Sequence, residues 1–193
     1  MYQLEKWQTD DMEAFEALFH QYKELVLRTA MLITSNLQEA EDILQDVFMN
    51  VWRARHTFDS TKGKFTTWLY RITINQSISR CRQKRPNLMS LEGTEHDPVS
   101  VISSDSPEKS LEINWEYERL IEALNLLNNK HRIILILRYF NNLSISEIAQ
   151  VLDIPVGTVK SRVFNALKTL RGQMDVPIAD LNISSRKNYE LQR

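Results

Sequence analysis

SISEIAQVLDIPVGTVKSRVFNALKTLR, residues 144–171, has the pattern of two helices joined by a tight turn. Ser144 with Glu147 three residues later is a capping box, which starts the first helix. Asp153 stands at the turn, where glycine is usual, because Asp can enter the left-handed region of backbone space. Pro155 suits the start of the second helix, where a missing N–H costs nothing. The spacing therefore predicts a helix-turn-helix.

The second helix of this pair presents hydroxyl and cationic side chains on its outer side: Thr158, Lys160, Ser161 and Arg162. Hydroxyls and cations near a helix N-terminus suit phosphates and the base edges of the major groove. The pattern favours binding of duplex DNA. The alternative is a helical hairpin that only packs.

A second patterned stretch is KGKFTTWLYRITINQSISRCRQKR, residues 62–85, with seven Lys or Arg, no Asp or Glu, and three aromatic residues. Cations follow phosphates and aromatic rings accept unstacked bases, so this combination is typical of single-strand binding. Residues 154–193 form another basic block, with seven basic and three acidic residues, in a chain of net charge −1. Two such blocks indicate two contacts with one polyanion, unless both are solvated helix faces.

The basic strip predicts a helix from about Phe65 to Arg82 with one polar stripe along it. At the helical repeat of about 3.6 residues, five side chains share one arc: Trp68, Arg71, Asn75, Ser79 and Arg82. Apolar residues flank the stripe on both sides, which is typical of a contact surface between packed neighbours. For Trp68 the alternative is a place in the core, and both roles are open.

Two further helices are predicted before the strip. Asp10 with Glu13, and Asn36 with Glu39, are spaced as capping boxes. Beside its buried stripe, the second of these helices leaves a largely polar face: Asp42, Gln45, Asp46 and Met49.

The fold class expected from this periodicity is all-α, since four glycines and five prolines occur in 193 residues and no strand alternation recurs. Residues 86–114 are polar and Ser-rich and hold six acids against one lysine, as expected of a linker. We therefore expect two small helical domains, residues 1–85 and 115–172, joined by a flexible acidic linker. Residues 173–193 would be a C-terminal tail.

Composition argues against several other classes. The single cysteine, Cys81, allows no intramolecular disulfide, and four dispersed histidines make no recognised metal-ligand spacing. No stretch approaches the roughly 20 apolar residues of a membrane span, and no secretory signal begins the chain, so we expect a cytoplasmic protein. No glycine-rich phosphate loop or activated nucleophile is recognisable, so we expect no enzyme, small-molecule substrate, cofactor or metal.

In sequence, residues 10–172 resemble the sigma factors of bacterial RNA polymerase, specifically the small two-domain extracytoplasmic-function (ECF) group. Three stretches carry the resemblance in the family's order: AEDILQDVFMNVWR at 40–53, FTTWLYRITINQSISRCRQKR at 65–85 and EIAQVLDIPVGTVKSR at 147–162. The implied function is promoter-specific initiation of transcription. The implied partners are core RNA polymerase, at its clamp helices and flap region, promoter DNA and an anti-sigma factor.

The resemblance also implies three contact surfaces. The first would dock on the clamp helices of the largest polymerase subunit: Asp42, Gln45, Asp46 and Trp52. The second would open the −10 promoter element and hold its single strand: Lys62, Lys64, Trp68, Arg71, Asn75, Ser79, Arg82 and Arg85. The third would read the −35 element as duplex: Thr158, Lys160, Ser161 and Arg162. By the same resemblance the acidic linker threads through polymerase channels used by RNA, with a solvated tether as the alternative.

Three departures from the family pattern bear on these assignments. Ser79 stands where the family often has Asp, and Asn128 stands where it often has Pro. After Arg162, the residues VFNALK lack the Arg-rich continuation that many members carry. The departures leave the family assignment intact but affect the base contacts.

Two other classes of protein explain part of the pattern. Residues 147–162 also resemble the DNA-binding module of response-regulator-type activators, so a stand-alone regulator would bind duplex DNA without polymerase. That alternative leaves the basic strip at 62–85 unexplained. A purely helical interaction protein would show no salt-dependent affinity for DNA.

Overall fold

The computed structural model of the protein describes residues 6–9, 11–84 and 122–173. All regular secondary structure within these ranges is helical, as expected from the sequence. The linker, Arg85, the start of the expected second domain and most of the C-terminal tail lie outside the described residues. The described residues fall into two compact units.

The first unit contains three long helices: α1 Met12–Thr34, α2 Leu37–Arg53 and α3 Phe65–Lys84. A short 3₁₀ turn follows α2 at Arg55–Thr57. The second unit contains α4 Asn129–Leu135, most of α5 Ile145–Leu152, and α6 Val156–Gln173. A π-helical turn, Ile136–Phe140, continues α4, so the helix expected over roughly 130–140 consists of these two pieces.

Side-chain hydrogen bonds cap the N-termini of α1 and α2. Asp11 begins α1 by accepting a hydrogen bond from the Ala14 N–H at 3.1 Å, one residue after the predicted Asp10. Asn36 begins α2 as predicted, since its side chain accepts from the Glu39 N–H at 2.9 Å. Between the two helices, Ser35 takes the left-handed conformation, with φ 55°. The connection is therefore a tight turn that places α1 against α2.

The three helices of the first unit bury their apolar faces in one core. Its members include Val26 and Ala30 of α1, Ile43, Val47 and Val51 of α2, and Phe65 and Leu69 of α3. Burying one such side chain stabilises the fold by about 1.5–3 kcal/mol, so this face decides how the helices pack. Two buried polar side chains of α3 hydrogen bond within the helix: Thr73 donates to Leu69 O and Ser77 to Thr73 O.

The core of the second unit is formed mainly by α4 and α6. Leu127, Ile134 and Val159 are fully buried. Asn128 caps α4, because its side chain accepts from the His131 N–H at 2.9 Å. The asparagine that departs from the family pattern thus begins the helix with a side-chain hydrogen bond, which proline cannot provide.

We expect Asn36→Ala to destabilise the protein by about 1 kcal/mol, because the Glu39 N–H loses its acceptor. The measurement is the shift of the urea midpoint relative to wild type. Gln38→Ala, at the exposed second residue of α2, is the matched control and should leave the midpoint unchanged. Equal midpoints for the two variants would show that the cap does not contribute.

Candidate nucleic-acid and polymerase interfaces

The helix-turn-helix begins with a complete capping box. The backbone N–H and the hydroxyl of Ser144 donate to a carboxylate oxygen of Glu147, at 2.9 and 2.8 Å. The Glu147 N–H donates back to the Ser144 hydroxyl at 3.2 Å. Asp153 takes the left-handed conformation at the turn, with φ 54°, as its position predicted. The carbonyl of Pro155 accepts from the Thr158 and Val159 N–H groups, so Pro155 stands directly before α6.

The outer face of α6 carries the four predicted duplex-contact residues in two environments. Lys160 and Ser161 are exposed, whereas Thr158 and Arg162 are half-buried. The Ser161 hydroxyl donates to the Thr158 carbonyl at 3.0 Å, which leaves its lone pairs available for a donor on DNA.

The exposed face of α6 continues beyond the residues that were predicted. Phe164 is 68% exposed, the most exposed of the large apolar side chains in the described residues. Asn165 and Lys168 are exposed beside it. The helical repeat could have identified these residues from the sequence. Steps of three and four residues from Lys160 and Ser161 lead to Phe164, Asn165 and Lys168.

The single-strand stripe on α3 is largely where the helical repeat placed it. Arg71, Asn75 and Ser79 are exposed, and Trp68 and Arg82 are half-buried at its two ends. The exposed Lys62 and Lys64 lie in the loop that leads into α3. Arg85 lies outside the described residues.

Asp59 shapes the loop before α3, which we call the capture loop, residues 58–64. Its carboxylate accepts from the Thr61 hydroxyl at 2.6 Å and the Thr61 N–H at 2.9 Å, and lies 3.4 Å from the Lys62 ammonium. The Thr61 hydrogen bonds, and then Lys62, lower the pKa of Asp59 from its ordinary 3.8. The ionised carboxylate therefore contributes its full stabilisation of the turn above that pH, and this contribution is lost as the pH falls through the lowered pKa.

An open cavity of about 540 Å³ lies beside the capture loop. Tyr22, Phe58 and Phe65 belong to its aromatic lining, although Phe58 and Phe65 are themselves only 7% and 5% exposed, and Lys62 and Lys64 belong to the same lining. The Tyr22 and Phe65 ring centroids are 5.2 Å apart. Aromatic walls beside two lysines can accept a base and its phosphate together. Tyr22 was not predicted for this site, since its place in α1 is separated from the loop by more than thirty residues.

Trp68 packs into an aromatic cluster at the start of α3. Its ring centroid is 5.5 Å from that of Phe58, 5.8 Å from that of Phe65 and 5.9 Å from that of Trp7. Because Trp68 is only half-buried, one part of its ring belongs to this cluster and another part reaches the surface. The structure thus shows part of the core role for Trp68 and leaves part of its ring exposed, so contact with a DNA strand stays a prediction.

The expected polymerase surface lies along α2. Gln45 and Asp46 are exposed, and Met49, 52% exposed, lies one turn further along the helix. Asp42 is half-buried and forms an ion pair with Arg80 of α3. The carboxylate of Asp42 therefore already has a cationic partner within the protein.

Trp52 is held by neighbours within its own unit. Its ring centroid is 4.9 Å from that of Phe15, and the Arg55 guanidinium lies 4.6 Å from the ring centroid. Arg55 also donates to the Trp52 carbonyl at 2.8 Å. These contacts indicate that Trp52 stabilises the C-terminal end of α2. The exposed part of its ring is still available for a contact with polymerase.

Family models match both units. Residues 18–86 match Sigma-70 region 2, and residues 117–170 match Sigma-70 region 4. In the described part of the chain, each helix is too short or too polar to span a lipid bilayer.

Two curated relatives cover most of the chain. The ECF RNA polymerase sigma factor SigW of Bacillus subtilis is 36% identical over 171 residues, 85% of this chain and 90% of the relative. The RNA polymerase sigma-H factor of Pseudomonas aeruginosa is 32% identical over 174 residues, 86% of this chain and 89% of the relative.

The protein is therefore a sigma factor, a subunit that directs RNA polymerase to promoters for transcription initiation. Within that class, the chain belongs to the ECF sigma factors. Its relatives are transcription initiation factors, and a stand-alone helix-turn-helix regulator no longer accounts for the chain.

Solved structures share the fold. CnrH in complex with the cytosolic domain of CnrY has a TM-score of 0.68 at 21% identity, over 90% of this chain and 96% of CnrH. The sigma factor RpoE of Bartonella quintana, in complex with the anti-sigma factor NepR, has a TM-score of 0.62 at 23% identity, over 84% of this chain and 98% of RpoE. The likeness confirms the expected all-α architecture.

We expect a double-mutant cycle of Asp42→Asn and Arg80→Gln to give a coupling of about 0.5–1 kcal/mol in the free energy of unfolding, since the pair is only partly shielded from solvent. The coupling should shrink at 1 M salt, where the Debye length is about 3 Å. Glu16 and His20, 3.6 Å apart and mostly exposed, are the control pair and should show a coupling close to zero. A coupling equal to that of the control pair would show that the ion pair of Asp42 and Arg80 does not stabilise the packing of α2 against α3.

Proposed function

We propose that this sigma factor divides promoter recognition between its two units. The first unit opens the −10 element and holds one strand, and the second reads the −35 element as duplex. The observation that carries the proposal is the cavity beside the capture loop, with aromatic walls and two lysines at the head of the polar stripe on α3. Packing between helices alone does not explain why two exposed lysines stand beside an aromatic cavity.

In the first unit, a base leaves the stack and enters the cavity. Unstacking costs a few kcal/mol, and stacking on aromatic walls returns about 1–3 kcal/mol per base. Lys62 can leave Asp59 for a phosphate, because exposed ion pairs contribute little to stability. The strand then passes Lys64, follows the stripe and ends near Arg85. These residues supply cations, one aromatic ring, one amide and one hydroxyl: Lys64, Trp68, Arg71, Asn75, Ser79, Arg82 and Arg85.

In the second unit, α6 enters the major groove. Its first turns supply contacts to phosphates and base edges: Thr158, Lys160, Ser161 and Arg162. Phe164 suits the methyl group of a thymine, and the amide of Asn165 suits the paired donor and acceptor of an adenine. Asn165 would thus read a base where an Arg-rich continuation would favour guanine and phosphate.

The exposed face of α2 docks on the clamp helices of polymerase. Gln45 and Asp46 would make the polar contacts, with Met49 as an apolar contact between them and the end of the helix. Asp42 would contribute while it holds Arg80, and Trp52 would keep the end of α2 in place. The second unit would lie near the polymerase flap region.

The remaining assignments follow the same proposal. Residues 1–85 would form the polymerase-binding and −10 domain and residues 115–172 the −35 domain, with the acidic linker at 86–114 threading through the polymerase and the tail at 173–193 outside these tasks. The protein would act in the cytoplasm, without catalytic activity of its own. Because RpoE of B. quintana was solved with an anti-sigma factor, we propose that an anti-sigma factor restrains this chain too.

The test of the proposed function is reconstitution with core RNA polymerase on genomic fragments of the source organism. Run-off transcription should start from a limited set of promoters, and permanganate should detect melted thymines in their −10 elements. Core polymerase alone is the control. A protein that does not bind immobilised core polymerase, or that binds without melting any promoter, would contradict the proposal.

Two substitutions in α6 should separate phosphate contacts from base contacts. We expect Lys160→Ala to weaken promoter binding about equally for all −35 sequences, with the salt slope reduced by about 1. Asn165→Ala should instead cost about tenfold at one base pair and relax the preference there. The measurement is holoenzyme affinity for a set of −35 variants at several salt concentrations.

A template with a pre-melted −10 element and no −35 element is the control for both variants. Wild type, Lys160→Ala and Asn165→Ala should bind it equally, because the second unit is not needed there. A loss on this template would show that the −35 and −10 tasks are not divided as proposed.

A further inference from the structure

The residues before α1 contact the loop that follows α2. The side-chain amide nitrogen of Gln8 donates to two backbone carbonyls, that of Arg55 at 3.1 Å and that of Phe58 at 2.7 Å. These carbonyls lie at the start of the 3₁₀ turn and at the first residue of the capture loop. One side chain therefore fixes the backbone at both ends of the turn that leads into the loop.

Trp7 supports the same loop through its ring. It is fully buried, and its ring centroid lies 6.3 Å from that of Phe58, 5.5 Å from that of Phe65 and 5.9 Å from that of Trp68. Phe58 and Phe65 line the cavity, but Trp7 does not. Trp7 thus lies behind the aromatic wall that would receive a base.

A hydrogen bond of the indole N–H does not explain why a tryptophan occupies position 7. Its indole N–H is buried and has no hydrogen-bond partner among the described residues. A buried donor without a partner is unfavourable, and a phenylalanine or leucine would avoid it. The ring is therefore present for its size and its contacts with three aromatic neighbours.

We propose that Gln8 and Trp7 are positioning residues for strand capture. They touch no DNA; they hold Phe58, Phe65 and the capture loop in the geometry that receives an extruded base, so that less ordering is left to the moment of binding. The inference rests on the proposed function of the first unit. It extends that function to a segment outside the region 2 match, which begins at residue 18.

The main test is Gln8→Glu in the holoenzyme on a duplex promoter. The substitution keeps the size of the side chain but turns an oxygen, in place of the N–H donor, toward the two carbonyls. We expect open-complex formation, followed by 2-aminopurine fluorescence in the −10 element, to slow about tenfold. Affinity for core polymerase should stay within about twofold of wild type, because α2 is untouched. Gln21→Glu, at an exposed position of α1, is the charge-matched control and should behave as wild type.

A second pair of variants separates positioning from folding. Trp7→Phe keeps a ring and should open promoters at a rate near wild type, whereas Trp7→Ala should be slow. Both should bind core polymerase. Proportional loss of polymerase binding and promoter opening in Gln8→Glu and Trp7→Ala would mean that the contacts only support folding, and would overturn the inference.

Arg71→Ala distinguishes failure of this inference from failure of the proposed function. Arg71 is exposed on the α3 stripe, so its loss should slow opening whether or not the N-terminal segment matters. If Arg71→Ala slows opening and Gln8→Glu matches wild type, the positioning role is wrong and the strand surface stands. If neither variant slows opening, both are wrong.

Discussion

The first unit depends on one aromatic cluster: Trp7, Phe58, Phe65 and Trp68. The rings come from three places in the chain: Trp7 from the segment before α1, Phe58 from the first residue of the capture loop, and Phe65 and Trp68 from the first turn of α3. Aromatic pairs in tilted and edge-to-face contact add about 0.5–1.5 kcal/mol each beyond the area they bury. The cluster therefore holds both ends of the capture loop, which has no regular secondary structure. Because ring contacts stabilise the loop, Lys62 and Lys64 can stay exposed to solvent.

This separation of tasks explains how a strongly basic strip can belong to a folded domain. Seven cations without an acid in residues 62–85 repel one another. Partners from outside the strip offset part of that repulsion, since Asp59 lies beside Lys62 and Asp42 pairs with Arg80. Both acids are at least partly exposed, so these pairs are weak and a phosphate can compete for Lys62. The strip is thus compatible with a folded unit, while Lys62 stays available to a competing anion.

Local features of the fold and of the second unit could be predicted from the sequence. The capping boxes at Ser144 and Asn36, the left-handed Asp153 and the repeat of the α3 stripe all depend on residues within four positions of one another. The same reasoning placed the start of α1 at Asp10 rather than Asp11, because the capping-box spacing favours Asp10, with Glu13 three residues on, whereas Asp11 has Ala14 at that position and still caps the helix. The same repeat places the stripe on one face of α3.

The cavity could not be predicted, because its parts are distant in sequence. Tyr22 reaches it from α1, and Gln8 hydrogen bonds to residues 47 and 50 positions away. Periodicity reports which face of a helix is buried but not which loop it covers, so a side chain before α1 carried no signal for a role after α2. The environment of Trp68 could not be decided from periodicity either. Its place on the polar stripe favoured strand contact and its size favoured the core, and only the packing of Phe58 and Trp7 against one part of the ring allows both. Half-burial within the cluster holds part of the Trp68 ring in place before any ligand arrives, so less ordering would be left to the moment of binding.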